Sequence, residues 1–203
     1  VPSAAVTVKK KPTQARAKAR RDRIISCTED ILSRDGIDAA TTTAIAREAE
    51  IPVGSIYRYF KDRNDIIALL HQAAYDDVVG TVAAALEKIE PGQGFRATHE
   101  ALIRTFWRAA RSHPTFRVLT RWANAHNSLW DVTPGPESNL EELVRQTLVV
   151  AGVKLPEGRE SAMMRTAVTT LSVLIDQALE EDDERKADAL IDEITNLLTA
   201  YFD

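Results

Sequence analysis

The chain of 203 residues is 44% apolar and 28% charged, a balance that suits a globular protein with a substantial core and excludes wholesale disorder, collagen and low-complexity fibres. Uncharged runs such as Thr166–Ile175 reach ten residues, too short for a bilayer; with no apolar stretch after the opening residues and a lone Cys27, a cytoplasmic protein without a membrane partner is expected. The net charge of −4 hides a division, since residues 1–75 carry +4 and residues 76–203 carry −8, so one end alone suits a polyanion.

Residues 1–16, with Pro2, Pro12 and the lysine triplet Lys9-Lys10-Lys11, show no apolar period and are expected to form a disordered basic arm. Eight basic side chains fall within residues 1–23, against Asp22 alone; on charge the arm reads equally as a DNA contact and as a solubilising tail. From about Ala17 the pattern is helical. Ile24, Ile25, Thr28, Ile31 and Leu32 recur at helical spacing until Asp35-Gly36. A second helix is expected over Thr42–Ala49, a third over Val53–Phe60 and a long fourth over Arg63–Ile89, ended by Pro91-Gly92-Gln93-Gly94. Beyond lie Phe95, His99, Leu102 and Phe106 on one face, then Phe116, Leu119, Trp122, His126 and Trp130. Next come Leu140 to Ala151 and two last helices, about 159–180 and 184–202. No run alternates with period two. The fold class is all-α, with about nine helices: a three-helix domain over 17–64 and a helical domain over 65–203.

The segment Thr41–Phe60, TTTAIAREAEIPVGSIYRYF, reads as a helix-turn-helix, whose second helix can enter a major groove. Thr41 and Thr42 can cap the first helix and offer hydroxyls to a phosphate. Ile45, Ala46, Ile51 and Ile56 face inward. Gly54 and Ser55 lack bulk, so the second helix can approach DNA closely. Tyr57, Arg58, Tyr59, Lys61 and Arg63 supply hydroxyls and positive charge, whereas Phe60 reads as core.

With those residues in place, residues 23–66 resemble the DNA-binding domain of TetR-family transcriptional regulators, and the nine-helix plan is similar too. The resemblance implies a homodimer on a near-palindromic operator, usually a repressor, released by a small ligand in the C-terminal domain. By the same resemblance Thr42 and Thr43 would contact the backbone and an edge base. Val53, Gly54 and Ser55 would lead the recognition helix, Tyr57 and Tyr59 would touch backbone and bases, and Arg63 would contact a phosphate. Three positions depart from the family pattern. Pro52 replaces a capping Ser or Thr, Glu50 replaces a turn glycine and is strained if φ stays positive, and Val53 can read a thymine methyl but donates nothing.

If that architecture holds, His99, Ile103, Phe106, Trp107, Trp122, His126, Trp130, Met163 and Thr170 are the candidates for a mostly apolar effector's site; each reads equally as ordinary core. Arg96, Arg104, Arg108, Arg111, Arg117 and Arg121 read as solvated faces, one of which, turned inward, could hold a carboxylate. Met163, Thr166, Thr170 and Val173, with Leu190, Ile191, Ile194, Leu197, Leu198, Tyr201 and Phe202 of the last helix, leave apolar surface on more than one face, as a two-fold helical dimer interface requires. No phosphate loop, nucleophile elbow or metal-ligand spacing occurs, so no catalytic residue, metal or cofactor is expected. A constitutive regulator or an activator with no effector remains an open reading.

Overall fold

The structure is a computed structural model describing residues 12–126 and 139–202. Every regular element among them is a helix: α1 (Pro12–Asp35), α2 (Thr42–Glu48), α3 (Val53–Ile56), α4 (Arg63–Leu86), α5 (Phe95–Ser112), α6 (Phe116–His126), α7 (Asn139–Ala151), α8 (Glu160–Glu180) and α9 (Glu184–Phe202). None is long and apolar enough to cross a membrane. Trp130, one of the candidates for the effector's site, lies outside the described residues.

Two compact units meet in sequence inside α4, residues 1–70 and 71–203, rather than at 64. Ile66, Ile67 and Leu70 on the first turns of α4 are all buried and fall within the first unit. The core of that unit is built from Ile24, Ile31 and Leu32 of α1, Ile45 and Ala46 of α2, Ile56 of α3, and Phe60. Thr28, buried on the same face of α1, donates its hydroxyl to the Ile24 carbonyl at 2.7 Å, which satisfies the one polar group on that stripe.

The α1 helix corrects one expectation. It begins at Pro12, so residues 12–16 are helical and only the part of the predicted arm before them lies outside the description. Proline suits a first helical turn because its missing N–H has no partner there anyway. Gln14 through Arg20 are all exposed; these alanines, lysines and arginines favour helix without an apolar stripe to announce it.

In the second unit α9 packs along α5 and α8, α7 lies against α5 and α8, and α6 packs on α8. The arginines read as solvated faces are exposed, except the half-buried Arg121, but engaged. Arg104 reaches Asp192 at 3.4 Å, and Arg111 reaches Glu184 at 2.6 Å and Asp188 at 3.2 Å. On the same seam the indole N–H of Trp107 donates to Asp188 at 2.6 Å. Arg117 and Arg121 close the C-terminus of α8. They donate to the carbonyls of Leu179, Glu180 and Glu181 and to Asp182, where unpaired carbonyls and the helix dipole favour positive charge. Among the described residues no arginine lines the interior cavity.

Candidate DNA interface and effector cavity

The helix-turn-helix is set by its caps. Thr41 is extended (φ −75°, ψ 155°) and its hydroxyl accepts from the Ala44 N–H at 3.1 Å, starting α2. At α3 the cap position is Pro52, φ −59°, with no side-chain cap bond. The turn between them runs through Glu50 at φ 54°, alone among the described non-glycine residues in adopting positive φ. Its carboxylate meets Arg23 of α1 at 2.9 Å across an exposed surface. The α3 helix proper is one turn, shorter than the Val53–Phe60 expected. The chain continues through Arg58 N–H to Ser55 O and Tyr59 N–H to Ile56 O, tighter turns that carry the helical path to Phe60. Asp62 then accepts from the Asp65 N–H, and Asp65 accepts from the Lys61 N–H, a reciprocal cap that starts α4.

Of the predicted DNA contacts, Thr41, Thr43, Val53, Gly54, Tyr57, Arg58 and Lys61 are exposed, while Thr42, Ser55 and Tyr59 are half-buried. Val53 and Tyr57 stand out as large apolar groups left 37% and 56% exposed. A Cβ added at Gly54 would meet nothing within 4 Å, so no packing inside the protein demands glycine there. Phe60 is buried, under the Arg21 guanidinium at 5.3 Å. Arg63 differs from its expected role: one terminal nitrogen donates to the Ile37 carbonyl at 3.2 Å and its Nε is buried, so it also braces the loop after α1.

The second unit contains a cavity of about 240 Å³ walled by α4 to α9. His99, Ile103 and Phe106 line it, as do Phe95, Phe116, Leu143, Leu171 and Phe202. Its polar lining is His71, Tyr75, Thr120, Asn124, Thr147, Ser172 and Asp176. Burial pushes the His99 imidazole down to about 4 and lowers His71; burial and then Glu180 raise the Asp176 carboxyl to about 6. Five predicted cavity residues lie elsewhere. Trp107 turns to Asp188 and lies under Arg111, and Trp122 stacks on His126 at 4.6 Å. His126 is exposed and bonds the Trp122 carbonyl, and Met163 is buried away from the cavity. Thr170 borders a shallow groove with Arg165, Thr166 and Thr169. Sequence reasoning missed the polar wall, whose signals were His71 and Tyr75 one helical turn apart and Asp176 ending the uncharged run that starts at Thr166. Among the described residues no cluster of three His, Cys, Asp or Glu could hold a metal.

A small helical unit that displays a helix-turn-helix, followed by a helical unit with a mostly apolar cavity, is the plan of a DNA-binding regulator. Comparison with known proteins agrees. Residues 24–70 match the bacterial regulatory proteins of the tetR family, and residues 95–202 match the tetracyclin repressor-like C-terminal domain. A TetR-family transcriptional regulator from Streptomyces coelicolor has a similar structure, with TM-score 0.58, 25% identity, and coverage of 90% of this chain and 96% of that one. The nicotine-responsive repressor HdnoR of Paenarthrobacter nicotinovorans is 22% identical over 91% of this chain and 94% of its own length. The regulator HbdR of an Aromatoleum strain is 40% identical over 33% of this chain. The chain spans less than half the length of two curated relatives it matches, 30% and 49%. The protein belongs to the TetR family of transcriptional regulators, whose members bind operator DNA and dimerise.

Proposed function

We propose that the protein is a homodimeric repressor of a near-palindromic operator, read by Val53, Gly54, Ser55, Tyr57 and Tyr59, and released by a small molecule entering the cavity of the second unit. The observation that carries the DNA reading is the helix-turn-helix itself, matched over residues 24–70 to the tetR-family regulators, with Val53, Gly54, Tyr57 and Arg58 left exposed and open space over Gly54. Thr41, Thr42, Thr43, Arg58, Lys61 and the free N–H groups of Arg63 supply phosphate contacts around it. Two such helices need to stand about 34 Å apart to meet successive major grooves, and the dimer face that supports this comprises Thr166, Thr170 and Val173 of α8 with Leu190, Leu197 and Tyr201 of α9. A nicotine-responsive repressor among the relatives supports an effector of small organic type.

The α4 helix gives the effector a handle. Ile66 and Ile67 belong to the first unit, while His71, Tyr75, Val79 and Val82 line the cavity. A ligand that shifts this wall therefore acts on a helix shared with the DNA-reading unit. Relaxing a few of the roughly 4–10 kcal/mol that separate specific from non-specific binding is enough for release. The test is selection of duplexes from a random library by the purified protein. An enriched inverted repeat is expected, and Gly54→Ala should bind it about tenfold more weakly, the equivalent of one lost contact. Its melting temperature should hold or rise, because alanine is the better helix residue. Enrichment of no repeat, or full binding by Gly54→Ala, would refute the reading.

A further inference from the structure

The charges around the cavity are one-sided. Among the described residues its lining contains one carboxylate, Asp176 on α8, and no lysine or arginine. Asp176 has no hydrogen-bond or ion-pair partner among the described residues. Glu180, one turn further along α8, adds negative charge rather than answering it. Arg121 lies 3.5 Å from Glu180 and, with Arg117, is engaged by the α8 carbonyls and Asp182. The two imidazoles of the lining, His71 and His99, are both held toward their neutral forms by burial, so neither is a counter-ion. At neutral pH the Asp176 carboxyl, at about 6, is mostly ionised and unanswered. Two further groups of the lining, both more than nine-tenths buried, lack a partner: His99 at Nδ1 and Thr120 at Oγ1. Around them stand Tyr75, Phe95, Phe106 and Phe116, whose ring faces attract positive charge.

We propose that the effector is an organic amine with an apolar alkyl or aryl body, bound as its cation with the nitrogen on the Asp176 carboxylate and the body among the aromatic side chains. This inference rests on the effector-cavity reading and adds the ligand's charge and chemistry to it. A carboxylate ligand would place a second negative charge beside Asp176, and a neutral one would leave Asp176 without its counter-ion.

Alkyl and aryl-alkyl amines of graded length, each matched with the alcohol and the carboxylate of the same skeleton, are titrated calorimetrically into the full chain at pH 7.5. The best amine is expected to bind about tenfold or more tightly than its alcohol, the strength of a charge-assisted hydrogen bond, and the carboxylates not to bind. Asp176→Asn should bring amine and alcohol to parity. Should that variant fail to fold, the wild type answers by itself: between pH 7.5 and pH 5 its preference for the amine should fall about tenfold as Asp176 takes a proton. Of the groups near it, the carboxylate Glu180 lies one turn along α8, Tyr75 stays neutral throughout, and His71 and His99 on gaining protons would repel the cation in the same sense. Equal binding of amine and alcohol, or tighter binding of the carboxylate, overturns the proposal and leaves the effector cavity standing. Silence of all three series overturns both.

Discussion

A carboxylate facing an apolar cavity costs the empty protein free energy. Asp176 holds its proton up to about pH 6 in the fold, against about 3.9 in an unfolded chain. The folded state therefore binds the proton more tightly, so the penalty is complete above pH 6 and gone below about pH 4. With allowance for water reaching the group through the cavity, this is roughly 2 kcal/mol. Asp176→Asn is accordingly expected to raise the melting temperature of the empty protein by about 4–8 °C at pH 8, the gain vanishing by pH 4. His99, held down at about 4 by burial, acts oppositely: its contribution is intact above pH 6.5 and lost as pH falls toward 4. Because His99 is present in both proteins, the difference between their melting curves isolates Asp176. An equal shift at both pH values would assign the effect to packing. Tyr57 and Gly54 were legible in the sequence because the recognition motif is local, whereas Asp176 was not, because its meaning depends on which walls face it.

Individual helices show why some boundaries could be read and others not. Apolar periodicity marks buried residues, so it located α1 from Ile24 onward and was silent over its exposed, basic first turns. It overran α3, where the helical path tightens after Ile56, and α4, where Lys88 and Ile89 bond three residues back rather than four. Stripes also told which side chains of α5 and α6 turn inward, but not where opposite walls fail to meet. His99 and Phe106 were thus placed at the cavity on the same grounds as Trp107 and Trp122, which instead fill contacts with Asp188 and His126. The turn of the DNA-reading motif is the element most open to engineering. Glu50 sits at φ 54°, a conformation that costs a side-chain-bearing residue about 1 kcal/mol or more, while its exposed pair with Arg23 returns at most about 1 kcal/mol. Glu50→Gly is expected to stabilise the first unit by about 0.5 kcal/mol, the extra freedom of the unfolded glycine offsetting part of the gain. Chemical denaturation would check this, and a loss of stability would mean that the Arg23 pair outweighs the strain.

At the scale of the molecule, the proposed function requires two copies. Leu197 on α9 is 50% exposed, an apolar group that a lone chain leaves in water. Leu197→Glu is expected to shift the protein toward monomer in sedimentation and to weaken operator binding by about a hundredfold or more, as one of two half-site contacts is lost. Monomer stability should change by less than about 0.5 kcal/mol, since the site is a surface position. A variant that remains dimeric would move the interface elsewhere. The seam between α5 and α9 bears on how such binding is measured. Its pairs, Arg104 with Asp192 and Arg111 with Glu184 and Asp188, lie at the surface, where dissolved ions compete with them. Because α9 belongs to the dimer face proposed above, added salt is expected to loosen the assembly as well as the grip on phosphates. The slope of affinity against salt concentration, ordinarily a count of neutralised phosphates, is then expected to count phosphates plus the ions taken up along the last helix.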